Sequence, residues 1–320
     1  MTPSSEKTRV LVVGAGAIGS FYGALLAEGG ADVSVVCRSD FDAIKSHGFD
    51  IDSPSLGQIH FTPAQVLQHT ADYQGGWPDY LILSVKVVHG VDRAAMIKDA
   101  VGPDTTIVLI ENGVEIEAEI AAAFPDNELI SALAYVQISR VAPGKVKHHA
   151  LGDLTFGTYP SGISSRCELL ASLLERDGIK MTLTDNVVKG RWHKCVWNAV
   201  FNPISVLGGV LDTASILGPD EGKALVKKAM LEVIEVAAAT DNPLPVAMVD
   251  QFIERTKNGP AYKTSMALDF ENGRPMEVEV ILGNVVRAGR REQVAMPVLE
   301  TIYALMKMID ARDVAKDAAK

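Results

Sequence analysis

The sequence predicts an α/β protein in which an N-terminal domain built on a parallel sheet is followed by an all-helical C-terminal domain. The first half alternates short, continuous apolar runs with helical segments, a pattern typical of strands covered on both faces. From about residue 186 the apolar segments become long and helically spaced. A chain of 320 residues also exceeds what one compact core usually serves. We therefore expect two domains, over residues 1–185 and 186–320.

The first element is an apolar run that passes directly into a glycine-spaced turn, VLVVGAGAIG at 10–19. A pyrophosphate can lie on a helix N-terminus only where the preceding backbone turns tightly and carries no side chain in its path. Gly14 would make the turn, Gly16 would leave room for the pyrophosphate, and Gly19 would let the helix pack close to the strand. The predicted cofactor-binding residues here are Gly14, Ala15, Gly16, Ala17, Ile18 and Gly19.

A helix and a second strand complete this unit. The helical stretch ends at Gly29 and Gly30, which suit a helix stop, and the strand DVSVVCR follows at once. A strand, helix and strand within about 30 residues is the context that a dinucleotide-binding turn requires. We therefore predict a Rossmann-type domain over 1–185; a purely structural glycine turn is the alternative.

The end of the second strand bears on the choice of cofactor. NAD sites usually place an Asp or Glu at this position, whereas NADP sites need a cation for the additional phosphate. Here the strand ends in Val36, Cys37 and Arg38, with Ser39 beside them and no acid at the tip. The planar guanidinium of Arg38 suits a phosphate. The sequence thus favours NADPH; the alternative is an ordinary surface arginine.

Composition and charge exclude several classes of protein. Hydrophobic residues make up 48% of the chain and charged residues 22%, as in ordinary globular proteins. A net charge of -10 without a basic tract argues against a nucleic-acid surface. The amino-terminal MTPSSEKTR precedes an apolar run too short for a signal peptide, and no segment approaches the ~20 apolar residues of a membrane helix. We expect a cytoplasmic protein without a membrane partner.

The cysteines indicate neither a disulfide framework nor a metal site. Cys37, Cys167 and Cys195 are far apart and show no metal-ligand spacing. Such usage is ordinary in a reducing compartment. We therefore predict that the protein binds no metal.

Two polar positions follow buried strands, where α/β sheets bind their ligands. Lys86 comes directly after LILSV, and Asn112 with Gly113 comes after IVLIE. A lysine there would face a ligand, and an Asn-Gly pair permits a close backbone approach. The alternative is a plain strand terminus, because Asn-Gly is a common turn dipeptide.

The C-terminal domain opens with a helix that is apolar around most of its circumference, RWHKCVWNAVFNPISVL. Lys194, Asn198 and Asn202 stand four residues apart and so form one polar stripe. A helix with so much apolar surface is buried, so this narrow stripe is predicted to face a cavity.

The stripe suggests carbonyl reduction. Apolar surroundings disfavour the charged form of a lysine and lower its pKa toward working pH, which makes Lys194 a usable proton donor. Hydride transfer to a ketone leaves negative charge on oxygen, which an ammonium stabilises and protonates. The alternative is a snorkelling surface lysine with two capping or core amides.

A third group of polar residues lies in YKTSMALDFENGRPMEVEVILG. Ser265 falls in a short helical piece, and Glu277 begins a further helix after a turn in which Pro275 suits the first position. Taken alone, Glu277 is more often an acid that interacts with the helix dipole. Spacing by itself does not make it a site residue.

Together these motifs resemble the ketopantoate reductase family of NADPH-dependent 2-dehydropantoate 2-reductases. The resemblance covers nearly the whole chain through GAGAIG, SVK, ENG, KCVWNAVFNP and TSMALDFENGRPMEVEVILG. It implies a Rossmann domain, a helical domain and an active site in the cleft between them. It also implies reduction of 2-dehydropantoate to pantoate, a step of pantothenate and coenzyme A biosynthesis.

The resemblance also implies roles for individual residues. Lys194 matches the catalytic proton donor, and Ser265 matches the hydroxyl that binds the substrate carboxylate. The substrate-binding positions are Asn112, Asn198, Asn202, Asp212 and Ser265. The cofactor-binding positions outside the glycine turn are Arg38, Lys86, Asn112, Ser139 and Glu277. Apolar helices in the second domain would suit a homodimer.

Two departures from the family pattern leave the substrate open. Asp212 stands where the family has an asparagine, and Glu111 replaces an uncharged residue before Asn112. A carboxylate would repel a 2-keto acid with part of the ~4 kcal/mol expected for close charges near a protein surface. The alternatives are a related NADPH-dependent reductase of a different small 2-keto acid and a non-catalytic NADP-binding sensor.

Overall fold

The computed structural model describes residues 7–318, so residues 1–6 of the amino-terminal segment lie outside the described residues. The chain folds into two compact units. The first unit comprises 7–86, Asp92–Glu111 and Glu117–Val187. The second unit comprises Val87–Val91, Asn112–Ile116 and 188–318. The domain boundary between residues 185 and 186 stays a prediction.

Within residues 7–318 the first unit contains one sheet of ten strands. In chain order these are β1 Arg9–Val13, β2 Asp32–Val36, β3 Phe49–Ser53, β4 Gly57–Phe61, β5 Val66–Leu67, β6 Tyr80–Leu83, β7 Thr106–Ile110, β8 Leu129–Ala142, β9 Lys145–Thr158 and β10 Met181–Leu183. Their spatial order is β4-β3-β9-β8-β7-β6-β1-β2-β5, with β10 paired to β9.

The centre of the sheet is parallel, as the continuous apolar runs predict. Strands β5, β2, β1, β6, β7 and β8 pair in parallel, with Leu11 opposite Leu81 and Leu81 opposite Ile107. Every residue of β6 and β7 is buried. Burial on both faces excludes water from the ladder and explains why these strands lack polar alternation.

The sheet differs from a purely parallel one beyond β8. Strands β8 and β9 form a long antiparallel pair, and β3 pairs antiparallel with β4. A tight turn at Pro143 and Gly144 joins β8 to β9, and Gly144 has a positive φ of 67° that favours glycine. A connection this short can only return the chain antiparallel. The predicted α/β class is therefore confirmed, with a mixed rather than wholly parallel sheet.

The described part of the first unit contains five α-helices: α1 Ala17–Glu28, α2 Phe41–His47, α3 Arg93–Ile97, α4 Ala118–Ala123 and α5 Ser165–Leu174. Helix α1 packs closely because Phe21, Tyr22 and Leu25 are fully buried in the core. The hydroxyl of Tyr22 donates to the carbonyl of Gly152, 3.1 Å away, which satisfies its polar end inside the core.

The second unit is helical, as the spacing of its apolar residues predicts. Its described helices are α6 Val187–Leu207, α7 Thr213–Leu217, α8 Asp220–Ala239, α9 Met248–Asn258, α10 Ser265–Glu271, α11 Asn284–Arg291 and α12 Pro297–Ala318. A π-helical turn, Glu279–Gly283, leads directly into α11. Helix α6 is largely buried, with Trp192 and Phe201 at most 2% exposed. It is therefore a core helix, and its polar residues need partners.

No helix within residues 7–318 is long and apolar enough to cross a bilayer. The same residues contain no cluster of His, Cys, Asp or Glu suited to a metal ion. Cys37, Cys167 and Cys195 are free thiols, and all are buried.

Candidate active site

The glycine turn of the first unit has a conformation that side chains would prevent. Gly14 has a φ of 94°, and a Cβ there would lie 2.6 Å from Cγ1 of Val85. A Cβ on Gly19 would lie 2.5 Å from the carbonyl oxygen of Gly14 and from Oγ of Ser84. Both positions therefore require glycine, one for the turn and one for close packing of α1.

Gly16 differs from these two, because a Cβ there would meet nothing within 4 Å. Its Cα is exposed and borders open space at the start of α1. No side chain caps this helix and no acid occupies its first turn. The first backbone N–H groups, including those of Ala17 and Ile18, thus suit an anion. The turn fits a pyrophosphate.

A second arginine, in addition to the predicted Arg38, lies near the carboxyl end of β2. Arg38 and Ser39 are exposed there. Nη1 of Arg140, on β8, donates to Oγ of Ser39 at 3.0 Å and to Oδ1 of Asp40 at 2.9 Å. Sequence reasoning missed Arg140 because it is 101 residues from Ser39. A second guanidinium is therefore fixed beside the strand end.

The structure places the two other predicted cofactor residues of the first unit on or beside its strands. Lys86 is half-buried, three residues beyond β6. Ser139 lies on β8, where its Oγ is 2.9 Å from Nε2 of His149 on β9. A contact of either residue with a cofactor stays a prediction.

In the second unit three predicted site residues form a hydrogen-bonded chain. Nζ of Lys194 donates to Oδ1 of Asn112 at 2.9 Å. Nδ2 of Asn112 faces Oε2 of Glu277 at 3.5 Å, and Oε1 of Glu277 accepts from the backbone N–H of Val87 at 3.1 Å. The amide of Asn112 therefore has its acceptor toward the amine and its donor toward the carboxylate. Glu277 lies two residues before the π-helical turn, held by contacts that its spacing did not reveal.

The environment of Lys194 makes its amine a weaker base than a solvated lysine. Burial, and after it the neighbouring charge of Arg191, lower the pKa of Lys194 to about 8. The carboxylate of Glu277 acts in the opposite direction and favours the ammonium. An amine with this pKa is mostly protonated at neutral pH and still releases its proton readily.

Arg191 is a site residue that sequence reasoning missed. It lies on α6 one helical turn before Lys194, and it is 2% exposed. Its Nη1 donates to the carbonyl of Gly113 at 3.2 Å. The sequence shows an arginine three residues before Lys194, but it does not show that this arginine bonds to the distant carbonyl of Gly113. Arg191 thus holds the loop that carries Asn112.

The loop is also fastened by its backbone. Gly113 has a φ of 102°, and a Cβ there would lie 2.5 Å from the carbonyl oxygen of Val280. The N–H of Val114 donates to that same oxygen at 3.2 Å, and Nδ2 of Asn284 donates to the carbonyl of Val114. The backbone at Gly113 is therefore packed against the π-helical turn, and the close approach of a ligand to Asn112 and Gly113 stays a prediction.

The amides that continue the polar stripe meet a different segment of the second unit. Nδ2 of Asn202 donates to the carbonyl of Asn198 at 3.0 Å, while its Oδ1 accepts from the N–H of Met266 at 3.3 Å. Oγ of Ser265 is 3.5 Å from the same Oδ1. Asn202 is 1% exposed, whereas Ser265 is exposed and Asn198 half-buried. Asn202 therefore anchors the start of α10, and contacts of these residues with a substrate stay predictions.

Both unexpected carboxylates have partners within the chain. Oδ1 of Asp212 accepts from the N–H of Ser215 at 2.7 Å and so caps α7. This hydrogen bond holds the pKa of Asp212 below its usual range. The side chain of Glu111 is fully buried in the first unit, where Nη1 of Arg93 lies 2.7 Å from its Oε2. The charge of Glu111 is thus largely neutralised.

The geometry defines a class of protein. One unit holds a dinucleotide-type glycine turn, and the other holds an amine tuned for proton transfer and oriented by an amide and a carboxylate. These features are those of a dinucleotide-dependent oxidoreductase.

Comparisons with known proteins give the family. The model of "Ketopantoate reductase PanE/ApbA" matches residues 10–161, and that of "Ketopantoate reductase PanE/ApbA C terminal" matches residues 186–310. The chain belongs to the ketopantoate reductase family, so the resemblance seen in its motifs is confirmed. It is accordingly an enzyme, an oxidoreductase of the type that acts on CH–OH groups.

Individual relatives are similar over nearly their whole length. The crystal structure of 2-dehydropantoate 2-reductase from Methylococcus capsulatus is 53% identical, with a TM-score of 0.90 over 95% of this chain and 97% of that one. The enzyme of that name from Geobacter metallireducens is 31% identical, with a TM-score of 0.87 over 94% and 99%. A 2-dehydropantoate 2-reductase from Nostoc sp. is 27% identical over 313 residues, 96% of this chain and 97% of that protein.

Proposed function

We propose that this protein reduces 2-dehydropantoate to pantoate with NADPH, a step of pantothenate and coenzyme A biosynthesis. The observation that carries the proposal is the amine of Lys194, 2.9 Å from Oδ1 of Asn112 and with a pKa of about 8. The relatives named 2-dehydropantoate 2-reductase support the choice of substrate.

The residues present in the first unit fit the cofactor. The open space at Gly16 and the uncapped N-terminus of α1 would hold its pyrophosphate, and Arg38 would bind the 2′-phosphate of NADPH. Lys86 and Ser139 are proposed as further contacts. When bound, the reduced nicotinamide supplies a hydride to the substrate carbonyl carbon.

Lys194 supplies the proton in this proposal. Its ammonium would stabilise the negative charge that develops on the substrate carbonyl oxygen and then protonate it. Asn112 orients the amine by accepting one of its hydrogens, which leaves the other two for the substrate and for protein acceptors. Glu277 keeps the amine in its charged form through the Coulomb attraction between them.

The remaining polar residues would hold the substrate carboxylate and hydroxyl groups. Ser265 is exposed at the first position of α10, and its hydroxyl can donate to a carboxylate. Asn198 stands one helical turn beyond Lys194 on α6. We assign both to substrate binding, with Asn202 holding Ser265 in place through Oδ1.

A spectrophotometric assay tests the proposal directly. Loss of NADPH absorbance is followed with 2-dehydropantoate, and the assay is repeated with NADH. We expect turnover with NADPH and a much lower kcat/KM with NADH. Absence of turnover on 2-dehydropantoate at saturating NADPH contradicts the proposed substrate, and a preference for NADH contradicts the proposed cofactor.

A related reductase of a different small 2-keto acid is the second candidate. The observation that favours it is Asp212, whose depressed pKa keeps it ionised where the family has a neutral amide. A panel of 2-keto acids that differ in size and charge distinguishes the two candidates by kcat/KM. The third candidate, a non-catalytic NADP-binding sensor, requires NADPH to bind without oxidation by any member of the panel.

The proposal also covers the location and the oligomeric state of the enzyme. We propose that it acts in the cytoplasm and that it forms a homodimer. Size-exclusion chromatography with light scattering tests the assembly, since a dimer has about twice the 34.2 kDa mass of the chain.

The pH dependence of turnover follows from the pKa of Lys194. Only the ammonium form donates a proton, so kcat is expected to be level below about pH 8 and to fall roughly tenfold per pH unit above it. The measurement is kcat at saturating NADPH and keto acid from pH 6 to 10. A rate that stays level through pH 10 contradicts the role of the amine.

Filling the open space at Gly16 should prevent cofactor binding without unfolding the protein. A Cβ at this position meets no neighbouring atom, so Gly16→Val is expected to leave the melting temperature within a few degrees of that of the unmodified protein. NADPH affinity is expected to fall by about tenfold or more, because the added methyl groups occupy the proposed path of the pyrophosphate. Fluorescence titration with NADPH and thermal denaturation measure the two effects. Unchanged NADPH affinity contradicts the proposed position of the pyrophosphate.

A further inference from the structure

An acidic residue, Asp40, lies four residues beyond the end of β2, near the proposed site of the 2′-phosphate. Asp40 follows Ser39, and its side chain is 8% exposed. An unpaired carboxylate two residues from Arg38 would repel a 2′-phosphate, and an acid near this strand end is typical of NAD sites. The choice of NADPH therefore depends on what neutralises Asp40.

Arg140 is the group that contacts Asp40. Its Nη1 lies 2.9 Å from Oδ1 of Asp40 and 3.0 Å from Oγ of Ser39. The Arg140 side chain is 43% exposed, so the ion pair is partly open to solvent. Within the described part of the chain, both side-chain hydrogen bonds of Arg140 are made by Nη1. The donors on Nε and Nη2 of Arg140 therefore remain available to a ligand.

We propose that Arg140 is a specificity-determining residue, which neutralises Asp40 and supplies a second guanidinium to the 2′-phosphate of the adenosine ribose. This inference rests on the proposed use of NADPH. A guanidinium presents several donors in one plane, so it can bond to Ser39 and Asp40 along one edge and to a phosphate along another. Arg38 and Arg140 would then bind the phosphate from two different elements, the β2 end and β8.

The test compares two ligands that differ only in the 2′-phosphate. Binding of 2′,5′-ADP and of 5′-AMP is measured by calorimetry for the unmodified protein and for Arg140→Gln. We expect the variant to bind 2′,5′-ADP about tenfold or more weakly, the usual effect of losing a charge-assisted hydrogen bond. Binding of 5′-AMP is expected to change by less than twofold. An equal loss for both ligands, or no loss for either, overturns the inference.

Two further variants separate the phosphate contact from neighbouring effects. Lys147→Gln removes a positive charge on β9 that lies opposite Ser139 and 4.0 Å from Asp52, without touching Asp40, so both affinities should stay within twofold. Asp40→Asn removes the acid, so 2′,5′-ADP should bind as tightly as before or more tightly. A loss with Asp40→Asn as large as that with Arg140→Gln shows that the ion pair only supports local structure, and it overturns the inference.

The outcome for the unmodified protein distinguishes this inference from the proposed function. If the unmodified protein prefers 2′,5′-ADP and Arg140→Gln keeps that preference, the role of Arg140 is wrong while NADPH use stands. If the unmodified protein does not distinguish the two ligands, NADPH selectivity fails, and the role of Arg140 fails with it.

Discussion

Lys194→Ala is expected to lower kcat by about 100-fold or more, the usual effect of removing a general acid. The amine is the group whose pKa burial and Arg191 bring close to neutrality, and it is held by Asn112 at 2.9 Å. NADPH affinity should change little, because the proposed cofactor-binding residues of the first unit are intact. Steady-state kinetics at saturating 2-keto acid and fluorescence titration with NADPH measure the two quantities.

A second lysine on α6 provides the matched control. Lys189 lies five residues before Lys194 and is exposed. Lys189→Ala removes the same side chain from the same helix, and its kcat is expected to stay within about twofold of that of the unmodified protein. Near-normal turnover in Lys194→Ala rules out the proposed proton donor. An equal decrease in both variants shows that the loss comes from the helix.

The local pattern of the sequence determines most of what the structure shows of α6. Its buried residues repeat with helical spacing, so the positions of Lys194, Asn198 and Asn202 on one stripe could be predicted from spacing alone. Their partners could not. Asn202 uses its amide to hold the backbone of Met266, a contact 64 residues away that no local pattern encodes.

The strands of the first unit could also be predicted from local sequence, but the direction in which some of them pair could not. Continuous apolar runs identify strands covered on both faces, and β6 and β7 are buried at every residue. The antiparallel pairing of β8 with β9 depends instead on the short turn at Gly144, whose backbone geometry periodicity does not describe. The turn determines that the chain returns antiparallel, whereas hydrophobicity indicates only which residues form the strands.

The role of Glu111 could not be predicted from the sequence. Glu111 in the sequence is a carboxylate next to a proposed substrate residue and predicts repulsion. In the structure its side chain is buried against Arg93, eighteen residues earlier, so the charge acts within the protein core. Whether a charged side chain interacts with a ligand or with another residue of the protein is known only when its partner is known. For Glu111 that partner is brought close by the fold.

The pair formed by Arg93 and Glu111 leads to the largest expected loss of stability. The Arg93 side chain is 2% exposed and that of Glu111 is 0% exposed, and Nη1 and Oε2 are 2.7 Å apart. Burial acts to lower the pKa of Arg93, but Glu111 and the hydrogen-bonded Glu119 raise it overall. Arg93→Met removes the guanidinium and leaves the buried carboxylate of Glu111 uncompensated. The free energy of unfolding is expected to fall by about 3–5 kcal/mol, as measured by urea denaturation.

Two variants establish that the loss comes from the buried charge. Arg93→Met combined with Glu111→Leu replaces both ions by apolar side chains and should recover most of the stability, because an apolar pair has no desolvation cost to offset. Arg290→Met breaks the exposed ion pair with Glu300 and should cost no more than about 1 kcal/mol. If the double variant is as unstable as Arg93→Met, lost packing and not the unpaired carboxylate accounts for the effect. A cost for Arg93→Met as small as that for Arg290→Met would mean that Glu111 takes up a proton or finds another cation when the guanidinium is absent.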